Sequence, residues 1–307
     1  MIMEEYDFVV VGGGTAGCVL ASRLSADPTV TVMLLEAGNA DAPPAVSDPG
    51  SWLSLAGTGA DWAFSTTPQT HTEGAVHPVP RGKVLGGSSS INALMHIRGH
   101  ALSYDAWEKG GAVGWNYQEM LPFLKRSESA PGRDPAYRGT SGPITVAPAP
   151  DTHPLFESLL GAAIETGHSY RDDLNGAQGE GSSWIEVNVV GRKRQSAADA
   201  YLRPILHRRN LTVVDRAFAS RLVLERQRCR GVVYVRDGEE HTVEARGEVV
   251  LTAGAFGSAQ LLMVSGVGPA DQLREVGVKV RADLPGVGEN LHDHPLVSLA
   301  LHGASTG

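Results

Sequence analysis

Residues 7–38 read DFVVVGGGTAGCVLASRLSADPTVTVMLLEAG. The β-branched run Val9, Val10, Val11 enters the glycines Gly12, Gly14 and Gly17, a helical pattern follows, and a second apolar run ends on Glu36. Strand, glycine turn, helix, strand and acid in that order form a βαβ unit suited to holding a dinucleotide. Gly12 permits a tight turn because only glycine takes positive φ without strain. Gly14 leaves the backbone open to a pyrophosphate, and Gly17 lets helix and strand close up. The helix start, at Thr15 and Ala16, turns its N–H groups and positive dipole end towards phosphate charge. Glu36 lies nineteen residues past Gly17, placed to accept hydrogen bonds from ribose hydroxyls and to repel a 2′-phosphate. Ala16, Val19, Leu20, Ala21 and Leu24 recur at helical spacing, as the reading requires.

The chain of 307 residues is long enough for about two domains. Its formal charge of −8 argues against nucleic acid or an anionic membrane as a partner. The amino-terminal residues lack a basic n-region and cleavage site, so no signal peptide is expected, and no stretch reaches the length of a membrane span. Cys18 and Cys229 suggest neither a disulfide framework nor a metal site, which makes a cytoplasmic location the expectation.

Beyond Glu36 and Ala37 the pattern dissolves into a long irregular stretch to about Pro80, in which Trp52 and Trp62 are expected to cover apolar surface. A second glycine cluster, PRGKVLGGSSSINALMHIRGH, begins at Pro80. A helix capped by Asn116 is predicted through NYQEMLPFLKRSE, with Pro122 kinking it or near its start. From about Ser141 to Asp199 the character changes. An amphipathic helix (Leu155, Phe156, Leu159, Leu160, Ala163, Ile164) stops at Gly167, and Trp184 to Val189 alternate like a strand. The basic run Arg192, Lys193, Arg194 reads as a solvated turn before a helix SAADAYLRP. Strands return at Leu211–Val214, Leu222–Leu224, Gly231–Val235 and Glu248–Leu251, the last leading through Ala253 and Gly254 into the helix SAQLLMV and its stop Gly266.

A late strand ending in Thr-Ala-Gly (252–254) fits a sheet that passes FAD, whereas a nicotinamide dehydrogenase would continue in regular βαβ repeats after Glu36. Four segments then resemble the amino-terminal portion of the glucose–methanol–choline (GMC) oxidoreductases, the FAD-dependent alcohol oxidases and dehydrogenases. They are GGGTAG with Glu36 in LLEAG, GKVLGGSSSINALMHIRG (Gly82 to Gly99), GAFGSAQLLMVSGVGP (Gly254 to Pro269) and LPGVGENLHDHP (Leu284 to Pro295). The resemblance implies an α/β Rossmann-like FAD-binding domain made from residues 1–140 and 200–290. A partial α+β substrate-binding domain would come from 141–199 and 291–307.

The resemblance also implies roles. Arg81, Leu85, Gly86, Gly87 and Ser88 are similar to the segment beside pyrophosphate and flavin. Asn92, Ala93, Leu94 and Met95 are similar to the stretch whose backbone and Asn side chain lie close to the isoalloxazine and pyrophosphate. Ala219 matches a position, usually Val, whose backbone meets the adenine, and Trp62, Ala253 and Gly254 complete the expected cofactor contacts. Ile91 stands where some relatives carry a histidine joined to the flavin, so FAD is expected to be non-covalent. Ala259 and His96 depart from the usual residues at their positions.

By the same resemblance the reaction is oxidation of an alcohol CH–OH group, with hydride passing to flavin N5 and a histidine removing the hydroxyl proton. That histidine is expected beyond Gly307, which implies a shortened chain or a second polypeptide carrying the carboxyl-terminal half. Three readings stay open: alcohol oxidation, a hydroxynitrile lyase-like or photodecarboxylase-like use of the fold, and an FAD-binding module without turnover. His96 and His100 read as hydrogen-bonded structural residues, and His292, Asp293 and His294 as a family motif without metal.

Overall fold

A computed structural model of the chain describes residues 4–150, 152–294 and 297. Pro295 and nearly all of the tail to Gly307, and with them most of the 291–307 call, lie outside the described residues. The chain divides into two units, Met1–Ala253 and Gly254–Gly307.

The first unit is built on one six-stranded sheet. Strand β1 (Glu4–Val11) is central, followed by helix α1 (Thr15–Leu24) and strand β2 (Val32–Leu35). Strand β3 (Leu211–Val214) joins outside β2, and β4 (Phe218–Glu225), β5 (Arg228–Arg236) and β6 (Glu239–Leu251) complete the order β3-β2-β1-β6-β5-β4. The first four are parallel, with Val9 opposite Met33 on one side and Val249 on the other, and the β6, β5, β4 edge is antiparallel. Val9, Val10, Val32, Met33 and Leu34 are wholly buried. Both faces of a parallel sheet are covered, which is why these strands read as continuous apolar runs rather than alternating ones. The chain leaves β1 towards β2 on one side and returns as β6 on the other. The carboxyl end of β1 is therefore a topological switch point, where open α/β sheets bind ligands.

Cys18 and Ala21 of α1 pack with Ala197, Ala198, Tyr201, Leu202 and Ile205 on one face of the sheet. The segment expected as a helix at SAADAYLRP is helical, as a π-helix (Ala198–Leu202) that runs into a 3₁₀ helix (Arg203–Ile205). Part of the irregular stretch forms a second small core, where Leu55 and Ala60 meet Val84 and Ile91. The stretch thus covers apolar surface as expected, through Leu55 and Ala60, while Trp52 is 39% exposed.

The predicted helix after Asn116 spans Tyr117–Ser127, capped by the Asn116 side chain accepting from the Glu119 N–H, with Pro122 inside it. The amphipathic helix spans Pro154–Glu165, and Gly167 follows at φ +100°. Its apolar residues Leu155, Phe156 and Ile164 are exposed. The alternation at 184–189 yields only the two-residue strands Glu186–Val187 and Val189–Val190, and the polar Glu186 is the buried residue, for reasons given below.

The second unit, described by itself, opens with helix α2 (Gly254–Val264), stopped at Gly266 with φ +89°. A parallel pairing of Val267–Gly268 with Ala282–Asp283 encloses the short helix Ala270–Glu275.

Candidate functional site

The turn after β1 brings two close backbone approaches to the start of helix α1. Gly12 has φ +105°, and a side chain there would strike the Thr252 carbonyl and the Ala253 backbone. A Cβ on Gly17 would lie 1.9 Å from the Gly12 carbonyl oxygen. Both glycines are thus required by close backbone approach. Helix α1 starts at Thr15 and Ala16, both exposed, from a Gly14 cap that supplies no side-chain hydrogen bond. Among the described residues its first-turn N–H groups have no acceptor, the arrangement that receives a phosphate.

The second glycine cluster closes over the first. Gly86 donates its N–H to the Gly13 carbonyl at 2.8 Å, and a Cβ on Gly87 would fall 2.7 Å from the Gly14 Cα. Leu85 is buried beneath this contact, and the Ser88 Oγ accepts from the Gly82 N–H at 3.1 Å.

Glu36 lies at the carboxyl end of β2. Its two carboxylate oxygens accept from the backbone N–H groups of Gly13 at 2.7 Å and Gly38 at 2.8 Å. Burial raises its pKa to about 7 against the pull of those donors. Ala217 and Arg216 donate to the carbonyls of Glu36 and Gly38, so the strand carrying Ala219 is drawn to the acid. Phe218 lies tilted against Trp62, which stacks on Phe64 and carries the Lys83 ammonium 4.8 Å above its ring. Trp62 and Arg81 are joined by the Trp62 N–H to the Arg81 carbonyl, and Arg81 donates its own N–H to Asp61. Residues 12–16, 36–37, 62, 81–88, 219 and 253 are therefore brought to one end of the sheet. Gly254 begins the second unit and is described with it.

The stretch 92–95 runs on from there. Asn92 is exposed, Leu94 is buried at φ +61°, and Met95 pairs with Val187 while its side chain is exposed. His96 is not free: its Nε2 lies 2.9 Å from Glu128 Oε2. Glu128 is fully buried, and it also accepts from Arg98 at 2.7 Å, Arg138 at 2.7 Å and the Gly139 N–H at 3.1 Å. Burial alone would raise its pKa, but His96, Arg138, the Gly139 N–H and Arg98 overcome that and hold it at about 2. Arg138 and Arg133 continue the network to Glu186, which explains why that residue is buried in place of its apolar neighbours. His100 accepts the Leu102 N–H as a helix cap. No cluster of three or more metal-ligating side chains occurs among the described residues.

The basic run 192–194 is not simply a solvated turn. Arg194 is 4% exposed and donates to Val46 O at 2.9 Å, Ser89 O at 3.2 Å and Asn92 Oδ1 at 2.7 Å. Sequence reasoning missed this residue, Lys83 over Trp62, and the Glu128 network. Their partners are distant in sequence, and no local spacing announces them.

These features can be set beside known proteins. A model of the GMC oxidoreductase family matches residues 6–296. The chain belongs to the GMC oxidoreductase family. It is similar to mitochondrial choline dehydrogenase of Mus musculus, 44% identical over 299 residues, which cover 95% of this chain and 50% of that protein. Among GMC-like solved structures, pyridoxine 4-oxidase from Mesorbium loti superposes with a TM-score of 0.87 at 35% identity, covering 91% of this chain and 55% of the other. A structure of formate oxidase from Aspergillus oryzae RIB40, concerned with FAD modification, superposes at 0.85 and 30% identity, covering 92% and 51%. The chain thus spans about half the length of the GMC relatives it matches. Family membership and the FAD-bearing neighbour support FAD as the dinucleotide. No helix among the described residues is long and apolar enough to cross a membrane.

Proposed function

We propose that this chain is the FAD-binding portion of an oxidoreductase acting on an alcohol CH–OH group. The observation that carries the reading is the closure of Gly86 and Gly87 over Gly13 and Gly14, beside the open donors of α1 and the Glu36 carboxylate. The residues present fit the group: the α1 donors would hold pyrophosphate, Glu36 the adenosine ribose, Trp62 and the Ala219 strand the adenine, and Ser88 and 92–95 the flavin side. FAD, when bound, supplies the hydride-accepting N5 that alcohol oxidation needs. The chain's own residues bind it, orient it and limit water around it. Ile91, buried against Val84, supports non-covalent FAD.

In the proposed domain division, residues 1–140 and 200–290 form the FAD-binding domain, and 141–199 with the tail from 291 form part of the substrate domain. All six strands of the main sheet falling within the first set supports it. The base is proposed to lie in the carboxyl-terminal half that the longer relatives carry, on the same or a second polypeptide. Two unpaired cysteines favour a cytoplasmic setting. The test is anaerobic mixing of the full-length polypeptide with choline and other small alcohols. Bleaching of the flavin band by an alcohol supports oxidation; bound FAD that no alcohol bleaches would point to a non-oxidative use of the fold. Protein that takes up no FAD would overturn the reading altogether.

A further inference from the structure

We infer that Arg194 is a positioning residue for the flavin, acting through the side-chain amide of Asn92. The inference rests on the FAD reading above. The hairpin Val189–Val190 to Lys193–Arg194 turns through Gly191 and Arg192, both at positive φ (+54° and +63°). Such a two-residue turn fixes the register of its strands, and alternation then leaves Lys193 in solvent and Arg194 buried.

The guanidinium ties together the backbones around Val46 and Ser89–Asn92, two segments that already share a small core through Val46 and Ile91. Its Nε donates to the Val46 carbonyl, and its Nη1 donates to Ser89 O and Asn92 Oδ1. Asn92 Oδ1 also accepts the Leu94 N–H at 3.1 Å. Two donors on one atom require an oxygen there, so the amide cannot be turned over. Its Nδ2 then projects as a donor with no partner among the described residues, on an exposed side chain in the segment assigned to the flavin. Arg194 thus sets which end of Asn92 the cofactor meets.

The energetics favour a task of this kind over simple packing. Among the described residues Arg194 makes no ion pair, Asp199 acting on it only from beyond contact, and its buried Nη2 has no acceptor. A buried cation without an ion pair stabilises a fold poorly, and an apolar residue of similar volume would do better. The resulting positive charge lies one hydrogen bond from the flavin segment.

The test uses the FAD-loaded full-length polypeptide and compares Arg194→Met, Arg194→Lys, Asn92→Ala and the Arg194→Met, Asn92→Ala double variant. The readouts are FAD affinity, the visible flavin spectrum and the flavin midpoint potential. Losing a charge-assisted hydrogen bond should weaken FAD binding about tenfold or more in Arg194→Met. Its spectrum and potential should move in the same direction as those of Asn92→Ala, and the double variant should match Asn92→Ala alone. Arg194→Lys, unable to hold Val46 and Asn92 together, should fall between wild type and Arg194→Met. Additive losses with an unchanged flavin spectrum would overturn the inference by making Arg194 a packing residue. If Arg194→Met does not fold, a folded Arg194→Lys identical to wild type in affinity, spectrum and potential would overturn it instead. Failure of the wild-type polypeptide to bind FAD strikes the functional reading first and this inference with it, whereas an FAD-loaded wild type isolates the role of Arg194.

Discussion

The Gly86 N–H donates to the Gly13 carbonyl at 2.8 Å, and this one bond joins the two glycine-rich loops of the chain. Around it Gly87 lies so close to Gly14 that no side chain fits between them. Two segments about seventy residues apart are thereby held against each other, and under the proposed function they form one phosphate cradle beside the start of α1.

Gly87→Ala tests that cradle directly. The added Cβ would stand 2.7 Å from the Gly14 Cα at a residue with φ +54°, so backbone must shift on one side or the other. Overpacking of this kind typically costs about 1–3 kcal/mol. The expected outcome is protein with lowered thermal stability and at least about tenfold weaker FAD binding, read by flavin fluorescence titration. Wild-type affinity in the variant would show that the loops tolerate separation.

Glu36 gives a pH signature of unusual sign for a carboxylate. Burial lifts its folded pKa to about 7, above the 4.5 of an unconstrained glutamate. Proton binding thus favours the folded state. Its contribution is fully present below pH 4.5 and is lost as pH rises through 7, for a total on the order of 3 kcal/mol. In FAD-free protein, Glu36→Gln should therefore gain stability relative to wild type between pH 5 and 8. Urea unfolding at those two pH values checks this, and parallel curves for the two proteins would contradict it.

Glu128 behaves in the opposite way. Its folded pKa is held at about 2, so the stability it contributes is present above the unfolded value and is lost as pH falls towards 2. Replacing it leaves Arg98 and Arg138 buried without their shared acceptor. Breaking a buried pair from one side costs about 3–5 kcal/mol. Glu128→Gln should lower the unfolding midpoint at pH 7 and flatten the acid limb of the stability profile. Calorimetry across pH 3–7 distinguishes this from a surface substitution.

The two cysteines should separate cleanly under a thiol reagent. Cys18 is wholly buried and burial pushes its pKa up to about 12, so almost no thiolate forms at neutral pH. Cys229 is half-buried, with its pKa also raised by burial. Native protein should react slowly at Cys229 alone and gain the second label only on denaturation, as peptide mapping would show. Native labelling of Cys18 would mean that α1 opens from the sheet.

Local chemistry accounts for what was legible along the chain. The β1 turn, α1 and β2 lie where the glycines and apolar runs place them, because positive φ, helix initiation and strand burial leave signals within a few residues. The late strand ending at Leu251 likewise returns beside β1. The misreadings fall where the deciding partner is remote. Glu186 is a charged residue within the 184–189 alternation, yet Arg133 and Arg138 bury it. The irregular stretch does cover apolar surface, but through Leu55 and Ala60.

The dinucleotide unit, the acid at the end of β2 and the family likeness are each written in contiguous residues whose backbone demands are local. It took the folded chain to show that Arg194 reaches Asn92 across 102 residues, that the two glycine loops close on each other, and that Glu128 gathers three basic side chains. Such contacts depend on long-range chain closure, and a buried arginine has the same one-letter code as a solvated one.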